Sequence, residues 1–382
     1  MKKILLLAIC CALMATTAVY SQSLDSTLQK LAGSAARGYV APIVSGFGSD
    51  LNGGWFHKAP SAKMFGFDLE FGVVAMATTF SGASQTFSTS GDFQFNNAQA
   101  TSLVPLSAIP NQVTIGGLAH TLTPTEKTSI QSQIATQITG VTFTVGISGP
   151  TIIGKKTDSV KVGFSGLNKT FNVTNIGGVA GANAAVPVVL PASHVALPAG
   201  GVLDNVTLIP LAAPQLSIGT FVGTQFTFRY LPSVKINSDI GEFKYFGFGI
   251  QHNPGIWFPN PLPIDISASF FTQSLDVGTI FTTKSTAFGL NVSKRFGPGA
   301  LNITPYAGFL LESSKMTFTY DYQQPVPGTT LTTTNHINFE LDGENSSRIV
   351  LGLSLKLLFL NINADYNIAK YNSFTGGVMF II

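Results

Sequence analysis

Residues 348–367 read RIVLGLSLKLLFLNINADYN, and they decide the fold. Leu351, Leu353, Leu355 and Leu357 alternate with Gly352, Ser354 and Lys356, the period of two that puts successive side chains on opposite faces of a strand. The phase then flips: Leu360, Ile362, Ala364 and Tyr366 are the apolar set, and Asn361, Asn363, Asp365 and Asn367 come between them. A one-residue slip inside one strand would send every side chain to the wrong face, so the flip marks a turn near 357–360 between two antiparallel strands. The same unit recurs in AFGLNVSKRFGPGALNITPYAGF, where Gly297, Pro298 and Gly299 punctuate the turn.

Composition says which solvent such strands face. Charged residues make up 10% of the 382 residues, against about 25% in soluble globular chains. The mean hydropathy is +0.32. Yet no uninterrupted apolar run of about 18 residues follows residue 21. The nearest stretch, 177–203, contains Asn183, His194 and three prolines that would break a spanning helix. A closed β-barrel is the other structure that satisfies every backbone group in lipid. A soluble β-sandwich or jelly roll with a Phe-rich core also alternates, but it does not account for so few charges.

The start of the chain reads as a secretory signal peptide over 1–21. Lys2 and Lys3 precede the apolar run Ile4–Met14, and cleavage after Ser21 would leave Val19 and Ser21 at the positions that select small residues. Both cysteines, Cys10 and Cys11, fall within it, so the exported chain would carry neither disulfides nor thiolate chemistry. Removing the two lysines lowers the formal charge from +3 to +1, which is no footprint for nucleic acid.

Further strands are expected near 63–79, 216–231, 243–256, 264–275, 284–296, 301–322, 336–357, 360–368 and 373–382, with less distinct ones near 141–153 and 159–176. The reading is an all-β, transmembrane antiparallel barrel of about 14 strands over 63–382. Short turns (FGPGA, LLFL, FPNPLP) alternate with longer polar loops, as in barrels with short periplasmic turns and long outer loops. Phe67, Leu69 and Phe71 are expected to face lipid, and Asp68 and Glu70 the lumen; alternation places Lys356 and Asp365 in the lumen as well. The chain ends YNSFTGGVMFII, an apolar strand suited to close a barrel, with Phe380 near its end.

Two regions do not read as barrel wall. Residues 22–62 open with a helix signal: Ser23 or Asp25 as cap, Leu28 and Leu31 on one face, and Gly33 as a stop. A Gly-rich stretch with Phe47, Trp55 and Phe56 follows, and the whole is read as a hatch or plug. Residues of about 80–140 form a polar insertion in which Thr123 and Glu126 have capping-box spacing, the helix there being read as a solvated element. The Pro/Ala-rich stretch of about 177–214 reads as a loop.

The stretches VGTQFTFRYLP (222–232), GEFKYFGFGIQHNPGIWF (241–258) and LDGENSSRIVLGLSLKLLFLNINADYN (341–367) resemble an uncharacterised outer-membrane barrel family of Bacteroidota. That resemblance covers most of 213–382. The architecture of N-terminal hatch plus barrel also resembles the FadL-like long-chain fatty-acid transporter superfamily, although the Asn-Pro-Ala motif that its hatch often carries is not found here. These resemblances imply location in the cell outer membrane, outer-membrane lipid around the barrel, and the barrel assembly machinery as a partner in biogenesis. They also imply diffusive uptake of a hydrophobic or amphipathic small molecule, with Phe47, Trp55 and Phe56 as candidate ligand contacts and Arg37 or Lys58 available to a carboxylate head group. Packing of those aromatics against the wall, and simple solvation of the cations, are the structural alternatives. A structural or accessory role beside a protein partner, as in secretion complexes, and a nonspecific pore stay open as functions. No enzyme motif, cofactor or metal site is read: the five histidines are scattered and no HExxH occurs.

Overall fold

The structure is a computed structural model, and it describes residues 24–237, 241–260, 262–278, 281–325 and 332–382. The proposed signal peptide and Ser23 lie outside the described residues. The chain divides into two compact units: one holds residues up to Tyr39 together with Thr86–Asp204, the other Val40–Gln85 and Asn205–Ile382.

The second unit is a closed antiparallel barrel. Its strands are β1 (Phe65–Thr79), β2 (Leu208–Phe221), β3 (Thr224–Asn237), β4 (Gly241–His252), β5 (Asp265–Val277), β6 (Phe281–Ser293), β7 (Leu301–Pro325), β8 (Thr332–Asp342), β9 (Ser347–Leu357), β10 (Leu360–Ile368) and β11 (Ser373–Ile381). Neighbours in sequence pair from β1 round to β7, β7 pairs with β9, and β11 returns to β1 with Glu70 opposite Ile381 and Thr78 opposite Ser373. Ten strands therefore close the ring. Among the described residues, strand β8 pairs only with the distal part of β7, from Lys315 opposite Asp342 onwards, and forms a hairpin extension outside the ring.

The expected count of about 14 is thus corrected to ten. The strands near 141–153 and 159–176 belong to the other unit. The run 336–357 is two strands, broken at Gly343–Ser346. The run 216–231 bridges a hairpin turn at Val222 and Gly223, both with positive φ. The first arm of that hairpin begins at Leu208, inside the stretch read as a loop.

The 348–367 reading holds residue by residue. Leu351 and Leu353 are half exposed on the outside, while Ser354, Asn361, Asn363 and Asp365 are buried inside. The flip falls at Leu358, whose φ is +57°. Phe67 and Phe71 point outward, with Phe226, Phe270, Phe288 and Phe309 on the same apolar exterior. At the seam Phe71 stacks on Phe380 at 5.4 Å, so the penultimate turn of sequence closes the outer surface as well as the hydrogen-bonded ladder.

Helix α1 (Leu24–Asn52) passes through Gly33 rather than stopping there, and continues past Pro42. Tertiary contact overrides local propensity. From Val40 onward the helix lies inside the barrel, where Gly46 and Gly48 let its backbone approach the wall: a Cβ at either would run into Phe80 or Ser314. An interior of ten strands is only slightly wider than the eight that side chains alone can fill.

The unit spanning 86–204 interrupts the barrel between β1 and β2, where the polar insertion (about 80–140) and part of the loop (about 177–214) were expected. It has a four-stranded sheet (Thr86–Phe93, Phe143–Pro150, Val160–Phe164, Ser193–Leu197), two hairpins, and helices α2 (Asn97–Leu103) and α3 (Pro124–Ile138). Helix α3 is not merely solvated: Ile130, Ile134 and Ile138 bury one face in this unit's own core. Its capping box is complete, with Thr123 Oγ1 accepting from the Glu126 N–H at 3.3 Å and Glu126 Oε2 accepting from the Thr123 N–H at 2.7 Å. Hydrogen bonds from the Thr123 backbone and hydroxyl, then from His120, hold the Glu126 carboxyl below the usual carboxylate range. A lowered folded-state value contributes stability above the unfolded value of about 4.3 and loses it as pH falls through the folded one. Glu126→Gln is therefore expected to speed hydrogen exchange in the first turn of α3 at pH 7, and the difference from the unsubstituted chain should vanish in acid.

Candidate functional site: the plugged lumen

The lumen is occupied by the chain itself. After α1 ends at Asn52, residues 53–64 run irregularly down the inside of the barrel. Where the helix stops, its last carbonyls have no intrahelical partner, and α1 carries no basic residue in its final turn. Two wall arginines supply the missing cations. Arg348 on β9 donates from Nη2 to the Ser49 carbonyl at 2.8 Å, from Nε to Glu312 Oε2 on β7 at 2.7 Å, and from Nη1 to Asn367 Oδ1 at 3.3 Å. Arg229 on β3 donates from Nη2 to the Gly53 carbonyl at 2.9 Å and from Nε to Gln215 Oε1 at 2.8 Å. Both side chains are almost wholly buried, at 1% and 0% exposure. A guanidinium at the negative end of a helix is favourable, and burial sharpens the effect.

Below the helix the plug is aromatic. Trp55 lies under the Arg229 guanidinium at 4.1 Å, stacks on Phe271 at 5.0 Å and donates its indole N–H to the Leu51 carbonyl at 3.0 Å. Phe56 meets Phe271 at 6.2 Å and the edge of Tyr306 at 5.8 Å. Phe47, higher in the helix, contacts Phe281 at 5.6 Å. Gly247, Gly249 and Gly308 leave the wall bare where these rings press on it.

Next come the plug's charges. Glu70 of β1, fully buried, faces His57 Nε2 at 3.2 Å and Lys58 Nζ at 2.5 Å. The plug leaves the lumen through Ala59, whose N–H is accepted by Ser293 Oγ at 2.9 Å, and Pro60, whose carbonyl accepts from Asn253 Nδ2 at 2.7 Å.

The expected site residues are therefore dispersed. Trp55, Phe56, Lys58 and Glu70 come together in the lumen. Phe47 lies a few turns away against β6. Asp68 accepts from Thr220 Oγ1 at 3.2 Å, and Asp365 accepts from Tyr306 Oη at 2.9 Å, both on the inner face. Lys356 is half-buried on the same face. Arg37 is exposed and belongs to the other unit. None of the three plug aromatics lines an open chamber: each is spent on packing, with Trp55 at 1% and Phe56 at 5% exposure.

Sequence reasoning missed Arg229, Arg348 and Glu312, which do most of the gripping. Their signal was present in the alternation. In TQFTFRY, Gln225, Thr227 and Arg229 share the inward phase, and so do Leu310, Glu312 and Ser314 on β7. What alternation could not supply was that Leu310 pairs with Arg348, which brings the two charges side by side. Among the described residues no group of three or more His, Cys, Asp or Glu converges to hold a metal ion, and no helix is long and apolar enough to cross a membrane.

The chain belongs to a family of unknown function, DUF6588, whose profile it matches over residues 1–382. No curated protein matches it. Among solved structures it is similar to OmpTdeltaL8, a loop-deletion mutant of the Vibrio cholerae outer-membrane protein OmpT, at 11% identity over 84% of this chain and 100% of that one, with a TM-score of 0.21. It is also similar to the anion-selective porin from Comamonas acidovorans (10% identity, 83% and 99% covered, TM-score 0.16) and to the outer-membrane channel DcaP of Acinetobacter baumannii (10%, 85% and 100%, 0.16).

Proposed function

We propose that this DUF6588 chain is an outer-membrane β-barrel whose lumen is permanently closed by residues 40–64, and that it works as an anchored structural or accessory subunit carrying the 86–204 unit. The outer-membrane reading is supported by the apolar exterior of a ring that the pairing of β11 with β1 closes. The closing strand β11, apolar to its end, is the element offered to the barrel assembly machinery. No enzymatic role is assigned.

One observation carries the closed reading: the aromatic side chains that would line a ligand chamber are instead stacked between plug and wall, under a buried arginine. A site for an apolar small molecule needs concave free surface with a few polar groups to orient the ligand. Uptake of a hydrophobic solute, the function that the FadL-like resemblance implies, would require Trp55 and Phe56 to leave Phe271 and Tyr306. It would also require Arg229 and Arg348 to release the helix end.

The two readings part in one preparation. Barrel purified in mild detergent from its native outer membrane should carry a protein partner at near-stoichiometric amount and only bulk membrane lipid. A defined amphiphile bound at near one per barrel, with no partner, would replace the accessory role with transport.

A further inference from the structure

The plug has a direction. Gly46 packs against Phe80 and Ile209, and Thr78 Oγ1 lies 3.1 Å from the Gly46 carbonyl oxygen and 2.6 Å from Asp50 Oδ1. Gly54 lies against Val74, and His57 and Lys58 face Glu70. The carbonyls of Met64 and Lys63 then accept from the N–H groups of Val222 and Gly223 at 2.9 Å each. As residue number rises along the plug, its partners on β1 fall from 78 to 74 to 70. The plug thus enters at the rim where β1 ends and β2 begins, and leaves at the rim where β1 starts.

The connections tell the two rims apart. At the exit rim the connections are Val222–Gly223, 253–264, 294–300 and Leu358–Phe359; the entry rim has the short 369–372 but also the β1–β2 connection over 80–207 and the β7–β8 hairpin that extends past the ring. Short turns face the periplasm and long connections the outside in outer-membrane barrels.

Resting on the outer-membrane reading above, we infer that the barrel holds its own N-terminal segment threaded from the cell surface inward, so that residues 24–39 are displayed outside the cell. The lumen is then a polypeptide-binding site. Besides the side-chain contacts described above, the wall takes hold of the main chain: Arg348 on Ser49, Arg229 on Gly53, Asn253 on Pro60, and Val222 and Gly223 on Met64 and Lys63. Above Asn52 the segment is helical and satisfies its own backbone; below it, where the helix ends, wall donors take the carbonyls. A helix followed by an irregular segment whose carbonyls the wall takes is the chemistry of a held polypeptide, not of a small solute.

Single cysteines test this in the full chain, with the unsubstituted protein as the blank because Cys10 and Cys11 lie in the segment expected to be removed. Ser34→Cys sits on the exposed side of α1, Leu118→Cys at an exposed hairpin of the 86–204 unit, and Gly299→Cys in an open turn at the exit rim. A membrane-impermeant maleimide is applied to intact cells and to cells with a permeabilised outer membrane. Ser34→Cys and Leu118→Cys should label in intact cells, and Gly299→Cys only after permeabilisation. Labelling of Leu118→Cys with Ser34→Cys protected until permeabilisation would overturn the threading and leave the barrel's location intact. Labelling of Gly299→Cys in intact cells with Ser34→Cys protected would overturn it as well, by reversing the orientation. Recovery of all three in the soluble periplasmic fraction would instead sink the outer-membrane reading beneath it.

Discussion

Arg348→Ala is expected to destabilise the barrel by about 3–5 kcal/mol, the cost of removing one partner from a buried ion pair. Glu312 would keep its charge in a dry wall with no cation beside it, and the Ser49 carbonyl at the end of α1 would lose its donor. The midpoint of urea unfolding in detergent, followed by the mobility shift of folded barrel on a gel, measures the effect. The double variant Arg348→Met, Glu312→Leu separates the causes. Removing both charges abolishes the unpaired carboxylate, so most of the loss should return; what remains is the grip on the helix. A double variant as unstable as the single one would mean that the helix contact, not the ion pair, holds this region.

Trp55→Ala is expected to cost about 3–5 kcal/mol by the same assay, the usual range for a large aromatic truncated in a packed interior. The indole is buried on every side, by Phe271, by Arg229 and by the bare wall at Gly247 and Gly249. Loss of the cation–π contact adds to the cavity. Unlike the arginine variant, this one opens space along the lumen axis, so the plug should become mobile below Gly53 while α1 stays held by Arg348. Proteolysis between Gly53 and Lys63 should rise in Trp55→Ala and not in a control such as Phe270→Ala, whose ring lies on the outside. Trp55→Phe should restore most of the protection, because the stack on Phe271 survives.

Alternation was legible wherever a strand separates lipid from lumen, because the two solvents differ most there. It set a turn near 357–360, the outward Phe67 and Phe71, and the inward Asp365. It did not set the strand count, because a period of two reports a two-faced sheet and is blind to what lies on each face. The strands Phe143–Pro150 and Leu167–Val173 alternate over a protein core and so resemble barrel wall. The hairpin at Val222–Gly223 was hidden because the alternation keeps one phase across it: Leu216 and Ile218 before the turn and Phe226, Phe228 and Tyr230 after it. Gly33 failed as a stop signal because the turns on either side of it pack Leu28, Leu31 and Ala35 into the core of their own unit, and that packing outweighs the local propensity of one glycine. The site followed the same division: the inward phase of Arg229, Arg348 and Glu312 can be read from sequence, but their convergence on the end of α1 depends on strand register and on where the plug runs.

The most direct test of a barrel closed by its own chain is conductance across a planar bilayer. Purified protein, inserted at a density confirmed by labelled counts, should leave the membrane electrically silent, while Trp55→Ala should produce discrete current steps. Stepwise conductance from the unsubstituted protein, with steps like those of the variant, would contradict the plugged lumen and make the barrel a pore.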